Sequence, residues 1–336
     1  MTDPLKKDSA AGSEAGGGDS APGDSQDAGT VSVSKEPAAP ESIKAIPVRH
    51  YGRWIGSVVV LVLVALLVNA FANAQIQWSV VGEQITNGTF AWGAWETLKI
   101  TIFSMLIGVV LGTILAVMRL SPNWVLSSVA WAYIWFFRGT PVIVQILLWF
   151  NLSLIFEVLN LGFIYKNEMN EVMTPFVAAL LALGLNEAAY MAEICRAGIQ
   201  SVDQGQTEAA HALGMKGSKT MRRIVLPQAM RVIIPPTGNE FINMLKTSSL
   251  AFAIGYGELF LRGREFGSRT LAIMEGYIVV SLWYLALTTI FSIGQYYLER
   301  YYARGSNRAL PKTPLQRIKT HLTTFRVRSE AEGTSA

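Results

Sequence analysis

Cysteine is almost absent from this chain of 336 residues, and the single thiol, Cys195, cannot form an internal bridge. That excludes a disulfide scaffold. Histidine is nearly as scarce: His50, His211 and His321 lie far apart, so neither a metal site nor metal catalysis has the side chains to support it. Charged residues make up only 15% of the chain against 51% hydrophobic, with a mean hydropathy of +0.33. This balance excludes a purely soluble enzyme and a disordered chain, and points to the bilayer as solvent. The first apolar run begins only at Trp54, too late for a cleaved signal peptide. A phosphate-cradling loop needs GxxxxGK[ST]; the nearest string, GMKGSKT at Gly214 to Thr220, has the wrong spacing. No internal repeat is visible, and no paired acid and nucleophile argues for a membrane enzyme.

What the chain does have is unevenly placed. Residues 1–49 hold five Lys/Arg against eight Asp/Glu, and residues 299–336 hold eight against three. The Ser, Ala, Gly, Asp, Glu and Pro of residues 8–42 cannot offset their ordering entropy by burial, so 1–49 is expected to be a disordered cytoplasmic tail and 299–336 a basic one. Between them lie long uncharged runs. Trp54 to Phe71 has eighteen residues without charge, close to the roughly 30 Å of bilayer hydrocarbon. Further spans are expected at Ile100 to Met118, at Gly139 to Phe156 after the aromatic stretch WAYIWFF, and from Pro175 into Asn186, Glu187, Tyr190 and Glu193. A fifth segment, Val232 to Tyr256, is interrupted by Pro235, Pro236, Glu240 and Lys246, so its helix is expected to be broken or partly to line a polar space. Gly276 to Leu298 is a clear sixth span.

Lys/Arg should concentrate on the cytoplasmic side. Ile194 to Arg231 has six against two acids, with Arg53, Arg119, Arg138 and the C-terminal tail on the same side, whereas 72–97 and 157–174 are net acidic and 257–275 balances. The expected fold is therefore all-α: a multi-pass transmembrane helical bundle of about six spans in the cytoplasmic membrane, both termini inside.

The basic loop has more order than a linker needs. Its first half, SVDQGQTEAAHALG, reads as a helix capped by Ser201 or Asp203 and ended by Gly214 and Gly217. Its second half, SKTMRRIVLPQAMR, reads as a helix capped by Ser218 and stopped at Pro227. Ala209, Ala210, Ala212 and Leu213 give the first helix a small apolar face with Glu208 on its shoulder, shaped to lie in another protein's groove.

The string EAAHALGMKGSKTMRRIVLP resembles the EAA loop of ABC import permeases, with Glu208, Ala209, Ala210, Gly214, Ile224, Leu226 and Pro227 at the family's positions. FFRGTPVIVQ (Phe136 to Gln145), AAYMAEICRAGIQSVDQGQ (Ala188 to Gln206) and LPQAMRVIIPPTGNEFINMLKTSSL (Leu226 to Leu250) resemble the polar amino acid branch. The resemblance implies a five-span permease core over 97–298 with the loop at 201–228, preceded by an additional span and external loop at 50–96. It also implies partners: an ABC ATPase docked on the loop, an extracytoplasmic solute-binding protein, and a second permease in a homodimer or heterodimer. This chain would bind no cofactor, its partner using the ATP, and no nucleic acid. The substrate would be a polar amino acid, or an opine or cystine-like solute, since pocket residues and not the EAA loop decide it. An ion channel or ion-coupled carrier, which also tolerates carboxylates in spans, has no use for such a loop.

Carboxylates are costly to bury in a membrane and mark pathways. Glu187 is a candidate for a substrate ammonium, with Asn186, Tyr190, Asn239 and Asn243 as neutral hydrogen-bonding groups of the pathway; Asn residues one turn apart also tie helices together. Glu193 is expected to pair with Arg196, Arg138 to anchor a helix end, and Lys216, Lys219, Arg222 and Arg223 to set topology. Gly108 and Gly112, a GxxxG pair, are expected at a close helix contact, with Cys195 a small core residue and His211 on the surface.

Overall fold

The computed structural model describes residues 51–160 and 166–302, apart from the side chains of Tyr51 and Arg53. The expected tails fall outside the described residues, save for the first few positions of the second. The helices are α1 (Tyr51–Ala72), α2 (Trp78–Gln84), α3 (Gly88–Leu120), α4 (Trp124–Gly139) and α5 (Val142–Phe150). A two-stranded antiparallel ribbon, β1 (Val158–Asn160) with β2 (Lys166–Glu168), pairs Leu159 with Asn167. There follow α6 (Met169–Val172), α7 (Pro175–Gln200), α8 (Gln204–Ala212), α9 (Gly217–Thr220), α10 (Leu226–Thr247), α11 (Leu259–Thr270) and α12 (Ile273–Tyr302). Among the described residues the regular structure is helical apart from that ribbon, which the sequence pattern does not announce.

Two compact units divide at Ala65, within α1. The helix itself is apolar on every side and its side chains are exposed from Trp54 to Phe71, the pattern of a helix whose solvent is lipid. In the second unit α7 is the central column. Ala178, Ala179, Ala182, Ala188, Ala189 and Ala192 are fully buried on it, and side chains this small let neighbours approach from several directions at once. On α3, a Cβ at Gly108 would lie 2.5 Å from Cγ of Glu187, and one at Gly112 would lie 2.8 Å from the carbonyl of Ala188. The GxxxG pair is thus the seam between α3 and α7. At the far end of α7, a Cβ at Gly198 would strike Ile233 of α10. Aromatic contact between Phe241 and Phe291 and a hydrogen bond from Gln295 Nε2 to the Pro235 carbonyl (2.7 Å) lay α12 along α10.

Among the described residues four helices, α1, α3, α7 and α12, are long and apolar enough to cross a membrane, or five spans if α4 and α5 form one broken span, against the six expected. The expected third span over Gly139 to Phe156 is therefore corrected. Its helix has nine residues and turns 101° from α4, which holds the aromatic stretch in its interior. Thr140 and Pro141 cause the break: the residue before a proline is driven to extended backbone, and Thr140 has ψ 142. The break expected at Pro235 and Pro236 is corrected too. α10 runs straight through both, and regular helix gives way only at Ser248, where seven residues of tighter turns lead to Gly255 at φ 76.

The end of the bundle that holds the start of α3 buries carboxylates, each with a donor. Glu96 pairs with Lys99 and accepts from Tyr256 Oη at 2.6 Å. Glu258 caps α11 through Phe260 N and Leu261 N and accepts from Tyr284 Oη at 2.8 Å. Glu275 accepts from Gln77 N at 2.9 Å. Buried charge is tolerated where hydrogen bonds replace the lost water.

The seam makes a prediction. Gly112→Ala should lower stability by about 1–3 kcal/mol through overpacking, while Gly294→Ala, with no atom within 4 Å of the new Cβ, should be neutral. Thermal unfolding of the two variants in one detergent would show equal midpoints if the seam is looser than described.

Candidate functional site

The segment 201–228, expected to receive a partner, is built as expected in its first half. Asp203 Oδ1 accepts from Gly205 N at 2.7 Å and caps α8, whereas Ser201 ends α7. At the other end Met215 N donates to Ala210 O (3.0 Å) and Gly214 N to His211 O (2.9 Å). This glycine-dependent stop requires the left-handed backbone of Gly214, φ 72. Of the expected apolar face only Ala210 turns inward, at 2% exposure; Glu208, Ala209 and Ala212 are exposed and Leu213 is 82% exposed. An unpartnered leucine at a helix end is what a partner's groove would cover.

The second half differs from expectation in a way that matters. Lys216, not Ser218, takes the cap position, and Pro227 does not end the run. A widened turn over Met221 to Val225 joins α9 directly to α10, with Pro227 in the first turn of α10, where a missing N–H costs nothing. Thr220 and Val225 are buried, Ile224 is half-buried and Leu226 is exposed. From Gly217 on, the segment 201–228 is therefore not a free loop but the continuation of a bundle helix, with α8 joined to it by the turn at 213–216. A cleft of about 520 Å³ under α8 is lined by residues that include His211, Thr207 and Thr220, so His211 is exposed yet borders a cavity.

The five polar candidates do not converge on one pocket. Asn186 turns to the α4–α5 bend, donating to the Phe137 carbonyl (2.8 Å) and to Gln145 Oε1 (3.3 Å). Gln145 in turn donates to Thr140 Oγ1 (2.7 Å) and to the Phe137 carbonyl (3.0 Å). The lone Gln of an otherwise apolar nine-residue helix was the available signal for this clasp and was missed. Glu187 turns instead to α3 against Gly108, 4% exposed, with Oε1 unpartnered among the described residues; Ser104 Oγ, one turn earlier on α3, is unpartnered too. Glu240 of α10 is near enough to act on its charge. Asn239 and Asn243 are exposed on α10.

Tyr190 belongs to a different cavity. Its ring lies 5.1 Å below the Arg138 guanidinium in a cleft of about 550 Å³ between α3, α4 and α7, lined also by Arg119, Trp135, Glu193 and Arg196. Glu193 pairs with Arg196 at 2.6 Å as expected, and Cys195 is buried against Thr113.

Residues 108–304 match the family described as binding-protein-dependent transport system inner membrane component. The chain belongs to that family. It is thus the membrane-embedded part of a transport system, a multi-pass membrane protein. The arginine transport system permease protein ArgU of Corynebacterium glutamicum is 46% identical over 275 residues, 81% of this chain and 87% of that one. A match of that extent begins within or before α1, so ArgU shares more than the family core. The L-cystine transport system permease protein TcyL of Bacillus subtilis is 40% identical over 58% of this chain and 79% of its own length. Among solved structures, an amino acid ABC transporter crystallised with histidines is similar at TM-score 0.57 and 39% identity, covering 64% of this chain and 94% of that chain.

The clasp can be tested alone. Asn186→Ala should cost about 0.6–1.7 kcal/mol, the range for interhelical hydrogen bonds in a membrane. Gln145→Ala should cost a similar amount, and the double variant less than the sum, as unfolding in detergent would measure.

Proposed function

We propose that this chain is the permease subunit of an ATP-driven ABC importer for polar amino acids, with cationic ones foremost. A separate extracytoplasmic binding protein delivers the substrate, a second permease completes the pathway, and an ABC ATPase docks on segment 201–228. Both termini and that segment lie in the cytoplasm, in keeping with the six Lys/Arg of Ile194 to Arg231. The observation that carries the reading is the continuity of the docking segment with α10. Force applied by a partner at Glu208, Ala209, Ala210 and Gly214 crosses the turn between α8 and α9, and from there passes through Ile224, Leu226 and Pro227 into α10 without a further break in the helix. It reaches α7 through the Gly198–Ile233 contact. Rigid-body rotation of the bundle is then the natural response to nucleotide-driven motion of the partner.

The buried, unpartnered Oε1 of Glu187 supports a cationic substrate, since a carboxylate in this position gains most from an ammonium or guanidinium that enters from the neighbouring space. Asn239 and Asn243 are free to serve the neutral part of the solute where a second permease faces α10; Asn186, committed to the bend, and Tyr190, beneath Arg138, serve the pathway only by holding its walls.

Uptake into proteoliposomes containing this chain, its ATPase and its binding protein tests the whole reading, with arginine, glutamine, cystine and an opine as substrates. ATP-dependent uptake is expected for arginine above the others. Glu208→Lys and Gly214→Asp should abolish uptake and ATPase co-purification while leaving the permease monodisperse; transport surviving both would reject docking on this segment. Glu187→Gln should preserve or raise stability, because it replaces a buried carboxyl group whose Oε1 lacks a partner with a neutral amide of the same shape, yet lower arginine uptake at least tenfold. Undiminished uptake would take Glu187 out of the pathway.

A further inference from the structure

The cleft between α3, α4 and α7 holds three guanidiniums, Arg119, Arg138 and Arg196, against one carboxylate, Glu193. Arg196 is spent within this set: it grips Glu193 at 2.6 and 3.2 Å and donates to Gln200 Oε1 at 2.7 Å. Arg119 donates to Ser127 Oγ at 2.8 Å, which fixes its direction without neutralising it. Arg138 is held over the Tyr190 ring at 5.1 Å. Among the described residues neither Arg119 nor Arg138 has an ion pair, and both act on the charge of Glu193, so the cleft keeps a net excess of two positive charges. A cationic solute is repelled from such a place, which separates it from the proposed substrate pathway.

The rim has the opposite character. Trp131 and Trp135 line the cleft from α4, stacked at 6.2 Å and 12°, and both are exposed. The same helix exposes Trp124, Val125 and Val129. A soluble anion would find cations here but gain nothing from the indoles and aliphatic side chains beside them. A molecule with a phosphodiester at one end and acyl chains at the other matches both parts: planar guanidiniums take phosphate oxygens in pairs, and indoles prefer the head-group level of a bilayer. Basic pockets between transmembrane helices are of the kind that bind anionic lipid head groups.

We infer that this cleft is a binding site for an anionic phospholipid, with the phosphate held by Arg119 and Arg138 and the chains lying along α4. The lipid bridges the α4–α5 bend and the α3–α7 pair, tying α4 to the bundle at the end where α8 and α9 sit. Binding there depends on head-group charge and not on ATP or transported solute.

Native mass spectrometry of the purified full-length chain tests this, with dioleoylphosphatidylglycerol and dioleoylphosphatidylcholine added in equal amounts. The chain should retain phosphatidylglycerol selectively. Arg138→Gln and Arg119→Gln should each weaken retention about fivefold. Lys219→Gln, which removes a charge at the same end but outside the cleft, should not change it. Arg138→Lys, which keeps the charge but loses the planar fork, should fall between, and size-exclusion profiles identify any variant that fails to fold. Glycerol 1-phosphate in millimolar excess should not displace the lipid. Equal retention of both lipids, equal loss in Lys219→Gln, or displacement by glycerol 1-phosphate would each overturn the assignment.

Discussion

The close approach of α3 to α7 is the constraint on which the rest of the bundle depends. Within a bilayer, helices gain little from hiding apolar surface, so association rests on packing and on interhelical hydrogen bonds. Gly108 and Gly112 bring the α3 backbone onto Glu187, Ala188 and Met191, leaving no room for any larger side chain. Once that seam is set, the buried alanines of α7 leave its remaining sides to α4, α5 and α10. The same seam explains why a carboxylate survives there: Glu187 has its stem pinned against glycine, and its oxygen is aimed by packing and not by a hydrogen bond.

The contrast between this carboxylate and the others is instructive. Glu96, Glu258 and Glu275 are as well buried, but Tyr256, the α11 backbone with Tyr284, and Gln77 satisfy them. Those three stabilise the fold by capping helices and joining distant segments. Glu187 has a like charge, Glu240, as neighbour and no donor on Oε1. An acid that the fold leaves unsatisfied while satisfying its counterparts a few turns away is suited to a transient partner that carries its own donors.

Periodicity and charge made much of this legible in the sequence. The Asp203 cap and the Gly214 stop act locally, through residues close in sequence, and the uncharged runs of α1, α3 and α12 and the GxxxG pair also appear where the pattern places them. Two classes of feature were not legible. The Thr140–Pro141 elbow and the unbroken passage of α10 through Pro235 and Pro236 involve the same residue type with opposite results. At the elbow Gln145 and Asn186 satisfy the Phe137 and Thr140 carbonyls, contacts from residues distant in sequence, whereas α10 stays helical through its prolines for a reason that the residues themselves do not show. The second class is side-chain direction on α7. Asn186, Glu187 and Tyr190 lie within five positions, but successive residues of a helix point about 100° apart. Glu187 is thereby turned to the seam, while Asn186 and Tyr190, four positions apart and on one face, meet the elbow and the arginine cleft one turn apart along the axis.

The same geometry separates tasks along a single helix. α7 meets the seam with α3 through its middle, the elbow and the arginine cleft one turn to either side, and α10 at Gly198 near its end. At that last contact Ile233 fills the space above Gly198 so closely that a shift of α10 against α7 would have to displace one of them. α7 cannot rotate without changing what Glu187 faces, because its neighbour across the seam is a glycine that offers no side chain to follow it. On the proposed function, a displacement imposed at segment 201–228 would be converted, within one helix and over a few turns, into a change in the surroundings of a single carboxylate. Alternating access requires such a conversion, and Gly198 and Gly108 with α7 between them are the close contacts through which it would pass.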